Sequence, residues 1–189
     1  MGIKLGFAMC GSFCTFNKVI LYIEELKKSG MDIYPIMSFN AYDTDTRFGT
    51  AKSFNSRIEQ ICGRDIIHTI TSAEPIGPKN LIDALVIAPC TGNTLAKLAT
   101  GIADTPVTLA AKSTLRNGNP VIIAISTNDA LSNAAKNIGN LLNYKNIYFV
   151  PYSQDDSEKK PTSIIADFSE IKDTVLHALT GKQLQPIIK

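Results

Sequence analysis

The stretch that decides the fold is Ala84-Leu-Val-Ile-Ala-Pro-Cys-Thr-Gly-Asn-Thr-Leu-Ala-Lys-Leu-Ala-Thr-Gly101. Its apolar run at 84–88 predicts a buried parallel strand, which we expect Pro89 to end because proline cannot donate to a strand ladder. Residues 91–94 are small and polar and lead into a helical pattern at 93–101. A polar loop at a helix N-terminus presents free N–H groups to an anion. Threonine and asparagine are also common caps, so this stretch alone allows either a cap or a phosphate site.

A second strand, loop and helix pattern occurs earlier in the chain. Residues 3–9 have an apolar strand pattern and residues 13–28 an amphipathic helical one. Between them, Gly11 would let a ligand approach the backbone, and Ser12 would either cap the helix or donate to a phosphate. Gly6 and Gly11 have the spacing of a P-loop, but Ser12 stands where its lysine belongs, so triphosphate hydrolysis is not expected. The sequence also lacks the dinucleotide fingerprint G-x-G-x-x-G.

Two further predicted strands end in small polar residues. Ser38 follows one of them, and Ser126, Thr127 and Asn128 follow another. Capping explains each such loop singly, but four of them at the carboxyl edge of one parallel sheet indicate a small-molecule pocket. We expect its ligand to be a mononucleotide or another phosphate.

Strand and helix patterns alternate along the chain, which predicts a three-layer α/β/α fold with a doubly wound, mostly parallel sheet. We expect one domain over residues 1–189. Besides the segments above, strands are predicted at 32–37, 66–70, 120–125 and 147–150. Further helices are predicted at 50–62, 105–115, 126–143 and 171–179. Loops are expected at 74–78 and 152–161, and a tail that docks on a neighbour is expected at 181–189.

Composition limits the classes of partner. Hydrophobic residues make up 44% of the 189 residues and charged residues 19%, as in a globular protein. The formal net charge of +2 is too small to indicate nucleic acid. We see no apolar run of membrane-spanning length and no signal-peptide pattern, so we expect a soluble cytoplasmic protein.

The four cysteines show no C-x-x-C spacing, and only two histidines accompany them, so we expect no metal site. Free thiols suit a reducing compartment. We expect Cys62 to be buried like a small apolar residue. Cys10 and Cys90 each adjoin one of the polar loops and are expected to line the pocket.

These loops resemble those of the FMN-binding, cysteine-decarboxylase-like flavoproteins. The resemblance rests on Ala88-Pro-Cys-Thr-Gly-Asn-Thr94, Lys97 and Gly101-Ile-Ala-Asp104, with Gly11-Ser12 and Ser38, and it runs from residue 3 to about 145. It implies a flavodoxin-like or Rossmann-like flavoprotein. It further implies that FMN is held by the following residues: Gly11, Ser12, Ser38, Pro89, Cys90, Thr91, Asn93, Thr94, Ser126, Thr127 and Asn128.

The resemblance also implies a separate role for each group of these residues. The FMN phosphate would lie between Ser12, Ser38 and the loop at 91–94, and Asn93 would orient the ligand. The segment at 126–128 would face the isoalloxazine or the substrate. Arg47 and Lys52 would meet an anionic substrate, and Lys97 is either a ligand cation or a surface lysine.

Among these flavoproteins, the chain is most similar to one component of a two-component oxidoreductase from spore-forming bacteria. That similarity implies a dicarboxylate substrate, a partner protein that carries NADP, and a homo-oligomeric assembly. The alternatives are a stand-alone FMN-dependent flavin prenyltransferase or cysteine-type decarboxylase, and a non-catalytic assembly component. The family's cysteine decarboxylases carry a catalytic histidine about a dozen residues before the signature loop, where this chain has Glu74 and Pro75. His68 lies further upstream, and Ser126-Thr-Asn-Asp129 replaces the decarboxylases' Pro-x-Met-Asn clamp, so the catalytic acid or base is not identified.

Overall fold

A computed structural model describes residues 2–189 as a seven-stranded sheet with helices on both sides. The strands are β1 Lys4–Met9, β2 Asp32–Met37, β3 Ala84–Cys90, β4 Val121–Thr127, β5 Ile147–Phe149, β6 Tyr152–Asp156 and β7 Lys160–Ala166. The helices are α1 Phe16–Lys28, α2 Phe39–Asp43, α3 Ala51–Cys62, α4 Ile70–Ala73, α5 Gly92–Ala99, α6 Pro106–Arg116, α7 Ala135–Leu142 and α8 Ile171–Leu179. Short 3-10 helices cover Phe13–Thr15, Glu74–Ile76 and Phe168–Glu170. The predicted three-layer α/β fold is confirmed.

The parallel part of the sheet has the order β2-β1-β3-β4, with β5 parallel to the first half of β4. Every residue of β3 is buried, as expected for a strand covered on both faces. This arrangement brings the carboxyl ends of β1, β2, β3 and β4 to one edge of the sheet. The four polar loops predicted from the sequence therefore share that edge.

Pro89 does not end its strand, contrary to the prediction. β3 continues to Cys90 through a cis peptide bond between Ala88 and Pro89. The ladder to β4 shifts register between Ile87 and Cys90, which is how a strand tolerates a residue without an N–H. The Pro89 carbonyl still accepts a hydrogen bond of 3.2 Å from the Cys10 N–H.

The prediction of a loop at 152–161 is wrong, because β6 and β7 form an antiparallel hairpin there. β7 pairs with Ser126 and Thr127, so the second half of β4 has an antiparallel neighbour. The polar residues that suggested a loop lie largely on the exposed side of this edge hairpin. Charged residues on an edge strand are a common feature of natural sheets.

Three other predictions of local structure are also corrected. The helix predicted at 126–143 is confined to α7, because β4 extends through Thr127 and turns follow it. The strand predicted at 66–70 is a single bridge between Ile36 and Ile67. The segment at 74–78 includes a 3-10 helix, since Pro75 stands in its first turn, where no N–H is required.

Residues 181–189 pack against the rest of their own chain. The Gln183 side chain donates to the Phe149 carbonyl at 2.7 Å and accepts from the Phe149 N–H at 2.8 Å. Ile188 forms a bridge with Tyr152, and Lys189 Nζ contacts Asp167 at 2.8 Å and Glu170 at 2.6 Å. The tail therefore packs on the edge formed by β5 and β6 of its own chain, and its docking on a neighbour stays a prediction.

Candidate functional site

A pocket of about 380 Å³ opens at the carboxyl ends of β1, β2 and β3. This volume lies at the small end of the usual range for ligand sites. The lining residues are Cys10, Gly11, Ser38, Phe39, Asn40, Thr91, Asn93, Thr94, Lys97 and Thr105. The structure thus brings together polar residues from three of the four loops that the sequence predicted as one site.

The N-terminus of α5 faces this pocket without a side-chain cap. Thr91 has the extended backbone of an N-cap residue, but its hydroxyl caps no N–H group of the first turn. It donates instead to Thr94 Oγ1 at 3.3 Å. The first-turn N–H groups of a helix have no partner within the helix, and its dipole favours an anion there. The missing side-chain cap therefore favours the interpretation of this loop as an anion site over that of a simple helix cap.

Ser38 behaves differently from Thr91. Its hydroxyl accepts a hydrogen bond of 3.3 Å from the Ala41 N–H and so caps the short helix α2. Its own N–H donates to the Met9 carbonyl at 3.1 Å, which joins the ends of β1 and β2. Ser38 lines the pocket, but its hydroxyl has a structural role as well.

Two buried thiols lie behind the α5 loop. Thr94 donates to Cys10 Sγ at 3.2 Å, and burial raises the pKa of the Cys10 thiol to about 11, against a smaller opposing effect of that hydrogen bond. Burial also raises the pKa of Cys90, with a further contribution from Cys10. Both groups are neutral thiols at physiological pH. Cys10 lines the pocket as predicted, whereas Cys90 is fully buried and is not part of the lining.

The end of β4 joins the first loop beside the pocket. The hydroxyls of Ser12 and Ser126 are 2.9 Å apart and share a hydrogen bond. Asn128 is held by β7, because its carbonyl accepts from Thr162 Oγ1 at 2.6 Å and its Oδ1 accepts from Ser163 Oγ at 3.4 Å. The predicted residues of β4 therefore stand next to the pocket, on the far side of the α5 N-terminus, and not in its lining.

The three candidate cations of the sequence analysis lie in different places. Lys97 lines the pocket and contacts both oxygens of Asp104, at 2.7 and 2.8 Å, and this hydrogen bond lowers the pKa of Asp104. Arg47 and Lys52 are exposed and are not among the lining residues. Arg47 stacks over the Phe48 ring, 4.9 Å from its centroid. A role for Arg47 and Lys52 in binding stays a prediction.

His68 does not reach the pocket. Its ring stacks on Tyr42 with centroids 3.7 Å apart, and its Nδ1 is 3.0 Å from the Ile66 carbonyl oxygen. The lining of the pocket contains no histidine. This arrangement gives His68 a packing role.

Three residues at or beside the site were not predicted from the sequence. Thr105 lines the pocket, and Gly92 lies close to Asp129 between α5 and the end of β4. Phe39 and Asn40 line the pocket as well, at the carboxyl end of β2 where the sequence predicted that ligand donors converge. A Cβ atom on residue 92 would lie only 2.6 Å from Asp129 Oδ1. The glycine inside the threonine-rich loop was the available signal, because a glycine there permits a close approach. Thr105 was missed because its place beside the pocket depends on how α6 packs, although the start of that helix was predicted.

Residues 2–189 contain no group of three histidine, cysteine, aspartate or glutamate side chains placed to hold a metal ion. No helix within the same range is long and apolar enough to cross a membrane.

The parallel sheet and the uncapped helix N-terminus at its carboxyl edge are the features to compare with known proteins. Residues 1–180 match the Flavoprotein family model, and the chain belongs to that family. It is 45% identical to the B subunit of dipicolinate synthase from Bacillus subtilis, over 99% of this chain and 94% of that one. The crystal structure of the corresponding dipicolinate synthase protein from Bacillus halodurans superposes with a TM-score of 0.92 at 41% identity, covering 100% of this chain and 96% of the other.

A more distant neighbour shows the fold alone. It is DmrB of Burkholderia xenovorans in complex with FMN, described as a cubic protein cage for redox transfer. The TM-score is 0.69 at 19% identity, covering 94% of this chain and 96% of that one.

Proposed function

We propose that this chain acts as the B subunit of a dipicolinate synthase and oxidises dihydrodipicolinate to dipicolinate during sporulation. It would do so together with an NADP-binding partner, the A subunit of the same enzyme. The observation that carries the proposal is the 45% identity to the Bacillus subtilis protein over nearly the whole of both chains. The pocket adds physical support, because an uncapped helix N-terminus and a nearby lysine suit an anionic ligand.

The donor set of the pocket fits the phosphate of FMN. The first turn of α5 supplies backbone N–H groups, and Thr91, Thr94 and Ser38 supply hydroxyls. Asn93 would orient the sugar-like chain, and Ser12 would complete the cradle from the β1 side. When bound, FMN supplies two-electron redox chemistry. The family match supports FMN as the ligand.

The substrate would be a dicarboxylate, for which the chain must provide positive charge. Lys97 is the cation that lines the pocket. We place Arg47 and Lys52 in the outer part of the substrate path, where their exposed side chains would attract an anion before it enters. The neutral thiols of Cys10 and Cys90 would add no repelling charge to the site.

The NADP-binding partner completes the redox reaction. This sequence lacks a dinucleotide fingerprint, so we assign NADP to the partner. We propose that residues 1–189 form one domain, that several copies associate, and that the complex works in the mother-cell cytoplasm of a spore-forming bacterium.

Reconstitution of the two proteins tests this function. The purified NADP-binding partner is mixed with dihydrodipicolinate and NADP⁺, with and without this chain, and dipicolinate and NADPH are followed by absorbance. The proposal predicts that the pair is faster than the NADP-binding partner by itself. Equal rates with and without this chain would contradict it and indicate a non-catalytic assembly role.

The same preparation tests the stand-alone activities. A flavin prenyltransferase would form prenylated FMN from FMN and dimethylallyl phosphate without the NADP-binding partner. A cysteine-type decarboxylase would release carbon dioxide from a peptide ending in cysteine. We expect neither product, since the pocket lining contains no histidine for acid–base work.

A further inference from the structure

A second cavity lies between α5, α6 and the loop that joins α7 to β5, and its lining shares no residue with that of the candidate site. Its volume is about 230 Å³. Val121 and Ile147, the first residues of β4 and β5, belong to the lining and are buried. The cavity therefore borders the hydrophobic core near the amino ends of these strands. We call it the apolar cavity.

Apolar side chains form most of the wall of this cavity. They come from the end of α5 and the segment after it, from α6 and from the residues before β5, and include Leu98, Ile102, Leu115 and Tyr144. Ile102 is 48% exposed and Tyr144 is 45% exposed. Exposed apolar groups that surround a cavity, rather than standing singly, are typical of a binding site. The wall thus suits a ligand with an apolar body.

One cation belongs to the same lining. Thr108 Oγ1 lies 2.8 Å from Thr105 Oγ1, and the Tyr144 hydroxyl donates to the Ala99 carbonyl at 2.9 Å, so both lining hydroxyls already have partners. Lys112 is exposed and, within residues 2–189, takes part in no salt bridge. Its ammonium group is therefore available to an anion.

The segments that form the apolar cavity carry little negative charge. Residues 97–121 and 143–148 contain one acidic side chain, Asp104. Both of its oxygens contact Lys97, at 2.7 and 2.8 Å. An anionic group beside Lys112 would meet no unpaired carboxylate from these segments, so its attraction to the ammonium group is not opposed by them.

The volume of the apolar cavity sets the size of its ligand. A cavity of about 150 Å³ lined by apolar side chains binds one benzene molecule, whereas sites for larger organic ligands occupy about 300–1,000 Å³. The volume of about 230 Å³ lies between these values. It suits a single ring with one small substituent rather than a nucleotide.

We propose that the apolar cavity is a second ligand site, which binds a small monocarboxylate with an apolar ring. The ring would lie against Leu98 and Leu115 and pair with the aromatic ring of Tyr144. The carboxylate would bind the ammonium group of Lys112. The inference is independent of the proposed function, because the two linings have no residue in common.

Benzoate is the probe for this site, and benzamide is its neutral counterpart of the same shape. Each is titrated into the purified chain, and the isotope-labelled methyl groups of isoleucine and leucine are followed by NMR. We expect benzoate to shift the signals of Ile102 and Leu115 saturably, with a Kd of about 1 mM or below. Ile58 of α3 lies outside the lining and should not shift. Benzamide should bind about fivefold more weakly, because it lacks the charge.

Lys112→Met tests the source of this preference. The variant keeps an apolar stem and removes the charge, so benzoate should bind about fivefold more weakly and benzamide within about twofold of wild type. Lys136→Met is the matched control, because Lys136 is an exposed lysine of α7 outside the lining. It should bind both probes as the wild-type chain does. The methyl spectrum of each variant shows directly whether it is folded.

Three results would overturn the assignment of this cavity. A folded chain whose Ile102 and Leu115 signals do not shift with about 10 mM benzoate has no such site. Equal affinities for benzoate and benzamide, or an unchanged benzoate affinity in Lys112→Met, would indicate a cavity for an apolar side chain of another protein. A lower sedimentation coefficient for Ile102→Asp would show instead that a second copy covers the cavity. Dipicolinate formation by the reconstituted pair is measured separately, so the proposed function can fail or succeed on its own.

Discussion

Ser12 in the loop after β1 and Ser126 near the end of β4 share a hydrogen bond of 2.9 Å between their side-chain oxygens, although 114 residues separate them. β3 lies between the two strands in the sheet. The bond therefore spans the signature loop and joins the two predicted halves of the site. It ties the loop after β1 to the end of β4 beside the pocket.

A double-mutant cycle measures this link. Ser12→Ala and Ser126→Ala should each lower the free energy of unfolding by about 0.5–1.5 kcal/mol, the usual net value of one hydrogen bond. Their combination should be less than additive, because each single change already breaks the bond. Ser56→Ala, on the exposed face of α3, should stay within about 0.5 kcal/mol of wild type. Full additivity in urea unfolding would show that the bond contributes nothing.

The ion pair in the pocket gives a charge-dependent prediction. Lys97→Met removes the cation that lines the pocket and should weaken FMN binding by about tenfold, or roughly 1.4 kcal/mol. Asp104→Asn releases Lys97 from its partner and should keep or tighten FMN binding. Titration at two salt concentrations checks both variants, since screening should reduce the difference between them. Equal affinities for all three proteins would exclude Lys97 from the binding site.

The buried thiols predict the order of chemical modification. Burial raises the pKa of Cys10 and of Cys62 to about 11, and the thiolate is the form that alkylates. Cys14 is the exposed cysteine, so iodoacetamide at neutral pH should modify it first. Peptide mass spectrometry of the folded protein gives the order. Alkylation of Cys10 before Cys14 would contradict the described packing.

Because of the same thiols, the free energy of unfolding should depend on pH in the alkaline range. In the unfolded chain a cysteine releases its proton near pH 9, whereas the folded protein retains the protons of Cys10 and Cys62 up to about pH 11. The unfolded state then binds fewer protons, so the free energy of unfolding should fall as pH rises through this window. Each thiol contributes up to about 1.4 kcal/mol per pH unit. Cys62→Ala should show a shallower fall in urea titrations, and an unchanged slope would contradict the role of Cys62.

The contacts of the C-terminal tail predict that its removal destabilises the fold. Removal of residues 181–189 deletes both Gln183 hydrogen bonds to Phe149 and both Lys189 ion pairs. We expect the free energy of unfolding to fall by about 1–3 kcal/mol, with the oligomeric state unchanged because the tail packs on its own chain. Lys182→Ala is the control, since Lys182 is exposed and should have little effect. A change in sedimentation after truncation would show that the tail serves an interface.

The sequence predicted the layered fold because its strong signals are local. Apolar strands and amphipathic helices such as α1 and α3 follow from side-chain period alone. The β6–β7 hairpin was missed because its stabilising partner, the end of β4, is distant in the chain. The extension of β3 past Pro89 was missed for a related reason, since a shift in the ladder accommodates the proline.

The site was predicted in part for similar reasons. Gly11, Ser38, Thr91, Asn93 and Thr94 follow strands whose ends could be located from the sequence, and the structure places them in one lining. Thr105 lines the same pocket from the start of α6, a position that depends on how helices pack. The close approach of Gly92 to Thr127 and Asp129 could not be predicted from the sequence, because it joins two elements that are distant in the chain.

FMN binding at the α5 loop is tested most directly by an FMN titration of the purified chain, followed by flavin fluorescence, with Thr94→Ala beside it. Thr94 is buried at the first turn of α5 and bonded to Cys10, so its loss should disturb the phosphate cradle while the fold persists. We predict saturable binding by the wild-type chain and at least tenfold weaker binding by the variant. A folded wild-type chain that binds no FMN, or a variant that binds it equally well, would contradict FMN binding at this loop.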